Sequence, residues 1–107
     1  MKVGLDGGVL RIREIKELGA GNSDVFRRRV RAAWPTSALT AIEIDLSETH
    51  SLDSCGLAAL IALQKWAASH NANGAVPVRL LNPPPTVQQI LELTRLHRTF
   101  EIVKPDP

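Results

Sequence analysis

The chain contains no tyrosine, four aromatic residues in all (Phe26, Trp34, Trp66 and Phe100), one cysteine and three histidines in 107 residues. Each scarcity excludes something. So few aromatic rings give no platform for stacking successive bases, which removes a stacking-based single-strand nucleic-acid binder. Cys55 alone cannot close an internal disulfide, and His50, His70 and His97 show no zinc-ligand spacing with it, so neither a metal centre nor a cofactor is expected. A reduced, cytoplasmic setting fits that cysteine usage. Gly-rich phosphate cradles of the form G-x-x-x-x-G-K-[ST] or G-x-G-x-x-G are missing. Charge of one sign is also in short supply: 13 Lys+Arg against 11 Asp+Glu leave a formal charge of +2, which produces only a weak global field. The longest strictly apolar run, Leu57 to Leu63, is too short to span a bilayer. The first fourteen residues, MKVGLDGGVLRIRE, carry charges throughout, so neither a signal peptide nor membrane insertion is expected.

What remains is 44% hydrophobic and 22% charged residues, globular proportions at a length that suits one domain. Lys2 to Leu5 reads as a strand, Asp6-Gly7-Gly8 as a turn, and Val9 to Ile15 as a second strand with Leu10 and Ile12 opposite Arg11 and Arg13. A helix is predicted over about Ser23 to Trp34. It starts at Asn22 or Ser23 as N-cap, and Pro35 stops it. Ala41 to Leu46 alternates cleanly, with Ile42, Ile44 and Leu46 on one side and Glu43 and Asp45 on the other. A second helix runs from Asp53 to about Ser69 and ends in His70-Asn71-Ala72-Asn73-Gly74. Pro77 to Leu81 is a strand, and Asn82 with prolines 83 to 85 forms a rigid corner. Thr86 to His97 is a third helix, with Val87, Ile90, Leu91 and Thr94 as inner stripe and Leu93 and Leu96 beside it. Phe100 to Val103 closes the order β-β-α-β-α-β-α-β.

That order predicts right-handed crossovers in a mainly parallel sheet. Strands buried on both faces would be continuously apolar, whereas these keep charges at every second residue. The helices are therefore expected mainly on one face, which argues against a doubly wound nucleotide-binding fold.

Four of the nine arginines fall in Arg27-Arg28-Arg29-Val30-Arg31. Phe26, Val30, Ala33 and Trp34 recur there at helical spacing, so a solvated helix face accounts for the run, with an acidic partner surface as its functional alternative. No helix-turn-helix or Gly-aromatic strand motif accompanies it, and direct nucleic-acid binding is not expected. A hydrolytic site would draw on Ser54, His50 and Asp53, but a Ser and an Asp adjacent in sequence cannot bracket an imidazole. Cys55 at a helix start is a candidate redox-active thiol, yet it has no resolving partner. His70 and His97 fall near helix C-termini, where positive charge is favourable.

Ser47 to Leu63, SETHSLDSCGLAALIAL, stands above this background. A half-buried strand ends, a polar loop follows, Leu52 plugs the core, and Asp53-Ser54 open a helix. A hydroxyl at that position is displayed at the positive end of the helix dipole, where a phosphoryl group is tolerated. Phosphorylation there would add ~1.5 to 2 negative charges without melting the helix. On residue type alone, Asp53 and Ser54 need only cap the helix.

The stretch Leu52-Asp53-Ser54-Cys55-Gly56-Leu57 resembles the D-S-[ST]-G-L signature of STAS domains of the anti-sigma factor antagonist type. The similarity continues through Asn82-Pro83-Pro84-Pro85-Thr86-Val87-Gln88-Gln89-Ile90-Leu91-Glu92-Leu93-Thr94-Arg95-Leu96 and Phe100-Glu101-Ile102, and with the opening hairpin it covers nearly the whole chain. The resemblance implies an α/β fold: a STAS-like single domain over 1–107, core about 2–103 and a frayed tail at 104–107, with a mixed sheet and helices packed mainly on one face. It implies a non-enzymatic regulator, with Ser54 matching the serine that an anti-sigma factor serine kinase phosphorylates and Asp53 the acidic residue before it. In this picture the unmodified domain binds the anti-sigma factor and frees the sigma factor, phosphorylation breaks the contact, and a phosphatase restores it. His50, Ser51, Asp53, Ser54, Cys55, Gly56 and Leu57 form the implied partner surface. The chain departs from the pattern at Leu18-Gly19 and Leu96-His97, where Leu-Asp is common, and at Cys55, which replaces Ser or Thr. Similar domains also serve lipid-transport ABC complexes, docking on the ATPase, and stress-sensing assemblies. The sequence leaves the oligomeric state and the particular sigma factor open.

Overall fold

The computed structural model describes residues 1–72 and 74–104. Asn73 and most of the 104–107 tail, residues 105–107, lie outside them; Lys104 has no regular structure. Strand β1 (Lys2–Asp6) turns through Gly7-Gly8 into β2 (Val9–Arg13). Both glycines have positive φ, 57° and 83°, as a two-residue hairpin turn requires. Then follow β3 (Glu17–Leu18), helix α1 (Ser23–Ala32), β4 (Ala41–Asp45), β5 (Ser51–Leu52), helix α2 (Ser54–His70), β6 (Val78–Leu81), helix α3 (Pro85–Leu93), a 3₁₀ turn at Leu96–Arg98, and β7 (Glu101–Val103).

Five strands form one mixed sheet in the order β1-β2-β4-β6-β7, with β1–β2 antiparallel and the other pairs parallel. Its two faces follow from the alternation. Ile12, Ile44, Leu80 and Ile102 align across four strands on one face, with Leu10, Ile42 and Val78 beside them. Phe26 and Val30 of α1, Ala59, Leu60 and Leu63 of α2, and Val87 and Leu91 of α3 join these strand residues in one buried cluster. All three helices therefore pack on that face. The same register aligns Arg11, Glu43, Arg79 and Glu101 on the other face. They form a ladder of ion pairs: Arg11 Nε to Glu43 Oε1 at 3.5 Å, Arg79 Nη1 to Glu43 Oε2 at 3.6 Å, and Arg79 Nε to Glu101 Oε1 at 3.3 Å. Arg11 and Glu101 are exposed and Glu43 and Arg79 half-buried; surface pairs of this kind add little stability each, but a charged face in place of an apolar one explains why no second helix layer is needed.

The structure departs from the sequence pattern at three places, two of them where the backbone turns left-handed. Strand β2 ends at Arg13 rather than Ile15 because Glu14 takes a left-handed backbone, φ 58°. Strict alternation would have turned Ile15 to solvent; the kink at Glu14 sends it into the core, 2% exposed. The third helix stops at Leu93, not His97, since Arg95 is left-handed, φ 61°. Thr94 is consequently exposed, its hydroxyl donating to Ile90 O at 2.8 Å, and Leu93 is 77% exposed instead of flanking the core. The reversal lets Leu96 and Phe100 re-enter the interior. The third departure is a second, two-stranded parallel sheet, β3 with β5, in segments that read as linker and polar loop.

Candidate functional site

The small sheet builds the platform for the start of α2. Leu18 pairs with Leu52 and Glu17 with Ser51, and both leucines are buried. The loop before β5 is fastened to the same stretch: Thr49, wholly buried, donates its hydroxyl to Ile15 O at 2.6 Å, and His50 N donates to Lys16 O at 3.0 Å. Asp53 N donates to Leu18 O at 3.3 Å. The backbone that delivers residues 50–53 is thus set by residues 15–18.

Asp53 is the N-cap of α2, in extended conformation. Its Oδ1 accepts from Gly56 N at 3.0 Å, an N-cap bond, and its Oδ2 accepts from Ala20 N at 3.1 Å, 33 residues away in sequence. One carboxylate therefore joins the first turn of α2 to the loop before α1. The Gly56 amide, then the Ala20 amide, and more weakly the Cys55 amide hold its pKa below the ordinary carboxylate value, against a small opposing effect of desolvation.

Two glycines permit this approach. A Cβ on Gly19 would lie 2.5 Å from Asp53 Oδ2 and 2.7 Å from Cγ. A Cβ on Gly56 would collide with the Leu18 carbonyl oxygen and stand 2.8 Å from its carbon, a backbone group that cannot swing aside. The loop between Gly19 and α1 is shaped by Asn22, whose Oδ1 accepts from Gly19 N at 2.9 Å and whose Nδ2 donates to Glu17 O at 2.8 Å. Asn22 stands at the N-cap position of α1, as its place in the sequence suggested. Its side chain, however, turns back to the loop and makes no capping bond to the helix.

Against this scaffold the sequence-predicted residues divide into two groups. Ser54, Cys55, Ser51 and His50 are exposed, with Ser54 the first residue of α2 and Cys55 a free thiol. Leu57 is half-buried, and Gly56 is buried, so it contributes backbone packing rather than side-chain surface. Both Asp53 oxygens are engaged by backbone amides, and among the described residues no hydrogen bond joins His50 to Ser54 or Asp53. The arrangement displays a hydroxyl; it does not assemble a nucleophile with a base. No group of three or more His, Cys, Asp or Glu among the described residues is placed to hold a metal ion. Sequence reading missed Thr49 and the Gly19–Asp53 contact. A polar residue in a polar loop gives no burial signal, and a glycine beside Ala20-Gly21 looks like any flexible linker.

The fold is thus a one-sided α/β sheet with an exposed serine at the first position of α2. Residues 2–105 match the family model of the STAS domain, and the chain belongs to that family. The crystal structure of a candidate anti-sigma factor antagonist from Thermotoga maritima is similar, with TM-score 0.82 and 25% identity, covering 97% of this chain and 86% of that one. A solution structure of the Thermotoga protein TM1081 gives TM-score 0.78 at 24% identity, covering 95% and 78%. The anti-sigma factor antagonist SpoIIAA, in its unphosphorylated form, shares the fold at TM-score 0.72 and 20% identity, covering 96% and 87%. A search of curated proteins finds no significant match. Among the described residues no helix is long and apolar enough to cross a membrane.

Proposed function

We propose that this chain is a cytoplasmic, non-enzymatic regulatory domain of the anti-sigma factor antagonist type, which binds an anti-sigma factor serine kinase and is switched by phosphorylation of Ser54. One observation carries the reading: Ser54 is exposed at the first position of α2 while its neighbours Asp53 and Gly56 are committed to the scaffold. A kinase can reach the hydroxyl without unfolding anything. The phosphoryl group would gain from the helix dipole. The adjacent Asp53, held ionised by its amide partners, would repel it outward toward a bound partner. His50, Ser51, Cys55 and Leu57 complete the contact surface, and a phosphatase resets it.

The test is incubation with ATP and each serine-kinase anti-sigma factor of the same genome, followed by mass mapping. Phosphate on Ser54 with one of them is expected, and binding of that partner is expected to survive Ser54→Ala and fail in Ser54→Asp. Absence of phosphate with every kinase defeats the switch. Equal binding of the two variants would instead favour a phosphate-independent docking role, as in a lipid-transport complex.

A further inference from the structure

Among the described residues the main sheet ends on one side at β1, whose outer edge has no partner strand. The two-residue Gly7-Gly8 turn makes Asp6 and Val9 the first hydrogen-bonded pair of the hairpin. By alternation Asp6, Gly4 and Lys2 bond to β2, and Val3 and Leu5 turn their backbone N–H and C=O groups to the open edge. The side chains alternate too. Val3 and Leu5 share the face of Ile12 and Leu10, Leu5 being 49% exposed, while Lys2 and Asp6 lie on the charged face with Gly4 between them.

The strand reads Lys2-Val3-Gly4-Leu5-Asp6, which is self-complementary about its glycine: an apolar residue on each side, then a charge of opposite sign at each end. We propose that β1 pairs antiparallel with β1 of a second copy of this chain, about a twofold axis through Gly4. In that register Val3 faces the second copy's Leu5 as a hydrogen-bonded pair, and the axis repeats the pair, so four N–H to O=C bonds form across the edge. Lys2 faces the second copy's Asp6, also twice. Lys2, Arg11, Arg13 and Arg29 line an open groove along β1 in which Asp6 is the one acidic residue, and Arg11 is already paired with Glu43, so the two Lys2–Asp6 pairs alone supply the favourable charge contacts of the pairing. Asp6 has no ion pair within its own described chain, and Lys2 has a single exposed one, 3.5 Å from Glu14.

Charges on an edge strand ordinarily discourage pairing. Here they reject strands of other sequence or register and accept this one. A five-residue edge buries well below the ~1,200 Å² of a standard stable interface, so the dimer is weak and concentration-dependent.

Sedimentation of the protein over about 10 μM to about 1 mM tests this. The apparent mass should rise from 11.7 kDa toward twice that value. Lys2→Asp alone and Asp6→Lys alone each put like charges opposite, twice per dimer, and each should weaken association about tenfold. The double variant Lys2→Asp/Asp6→Lys reverses both ends and should restore it. Leu5→Pro removes an outward N–H without costing a hairpin bond and should leave a folded monomer, checked by its amide spectrum. A monomer throughout the range, or association indifferent to the single charge reversals, overturns the proposal.

Discussion

The two ends of α2 are each tied down by one side chain reaching across the sequence, and the two ties are chemically different. At the C-terminal end Asn71 is buried; its Oδ1 accepts from Leu39 N at 2.7 Å and its Nδ2 donates to Gly74 O at 3.0 Å. Trp66 nearby is covered on its ring by His70, stacked at 3.5 Å, and by the Arg31 guanidinium at 4.4 Å, with Trp34 edge-on at 6.5 Å. At the N-terminal end Asp53 is exposed and bonds only backbone amides, while Gly19 and Gly56 supply the closeness that side chains supply at the other end. One end is fixed by burying and stacking side chains and closes on itself. The other is fixed by backbone contacts and missing side chains, which holds the helix start in place and leaves Ser54 and Cys55 uncovered. Rigidity and accessibility coexist there because backbone amides and two glycines bring the segments together without laying a side chain over Ser54.

The sharpest way to break the comparison is Gly56→Ala. Its new methyl meets the Leu18 carbonyl, so α2 must move off the platform, with an expected loss of about 3 kcal/mol in urea denaturation. Asn71→Ala should come next, at about 2 kcal/mol, because it strands the Leu39 backbone amide in the interior. It should leave phosphorylation of Ser54 intact, whereas Gly56→Ala should impair both. Gly19→Asp drives a second carboxylate onto Asp53 and severs the Asp53–Ala20 bond. Its melting temperature should fall less than that of Asn71→Ala, and the deficit should shrink in acid as the carboxylates protonate.

The smallest effect separates the two ends by pH. Asp53 has a folded-state pKa below its unfolded one, so its contribution is complete above the unfolded value. It is lost as pH falls below about 4 and passes through the folded value. Asp53→Asn should flatten that part of the acid limb in denaturation curves, whereas Asn71→Ala should lower the curve without changing its shape.

Much of this fold is legible from period-2 alternation. Leu10, Ile12, Ile42 and Ile44 against Arg11 and Glu43 announce a sheet with one wet face, and that is the face carrying the ion-pair ladder. The helices follow from spacing and caps; Asp53 caps α2 as its residue type suggests. Periodicity failed where the backbone itself changes hand, strand alternation at Glu14 and helical spacing at Arg95, because non-glycine residues with positive φ leave no pattern in a sequence. It also failed at Glu17–Leu18 and Ser51–Leu52, since two-residue strands are too short for any period to show.

Strand alternation, helix spacing and caps were enough to determine a small one-sided α/β domain, and the resemblance of Leu52 to Leu57 to a family signature singled out Ser54. Local chemistry suffices for the fold, because helix and strand preferences, caps and turns act between residues a few positions apart. What only the tertiary structure decided is how Ser54 is presented: the β3–β5 platform, the Asp53–Ala20 bridge, and the two glycines without which neither fits. These contacts join residues more than thirty positions apart, and the decisive property of Gly19 and Gly56 is empty space, which acquires meaning only when another part of the chain fills it.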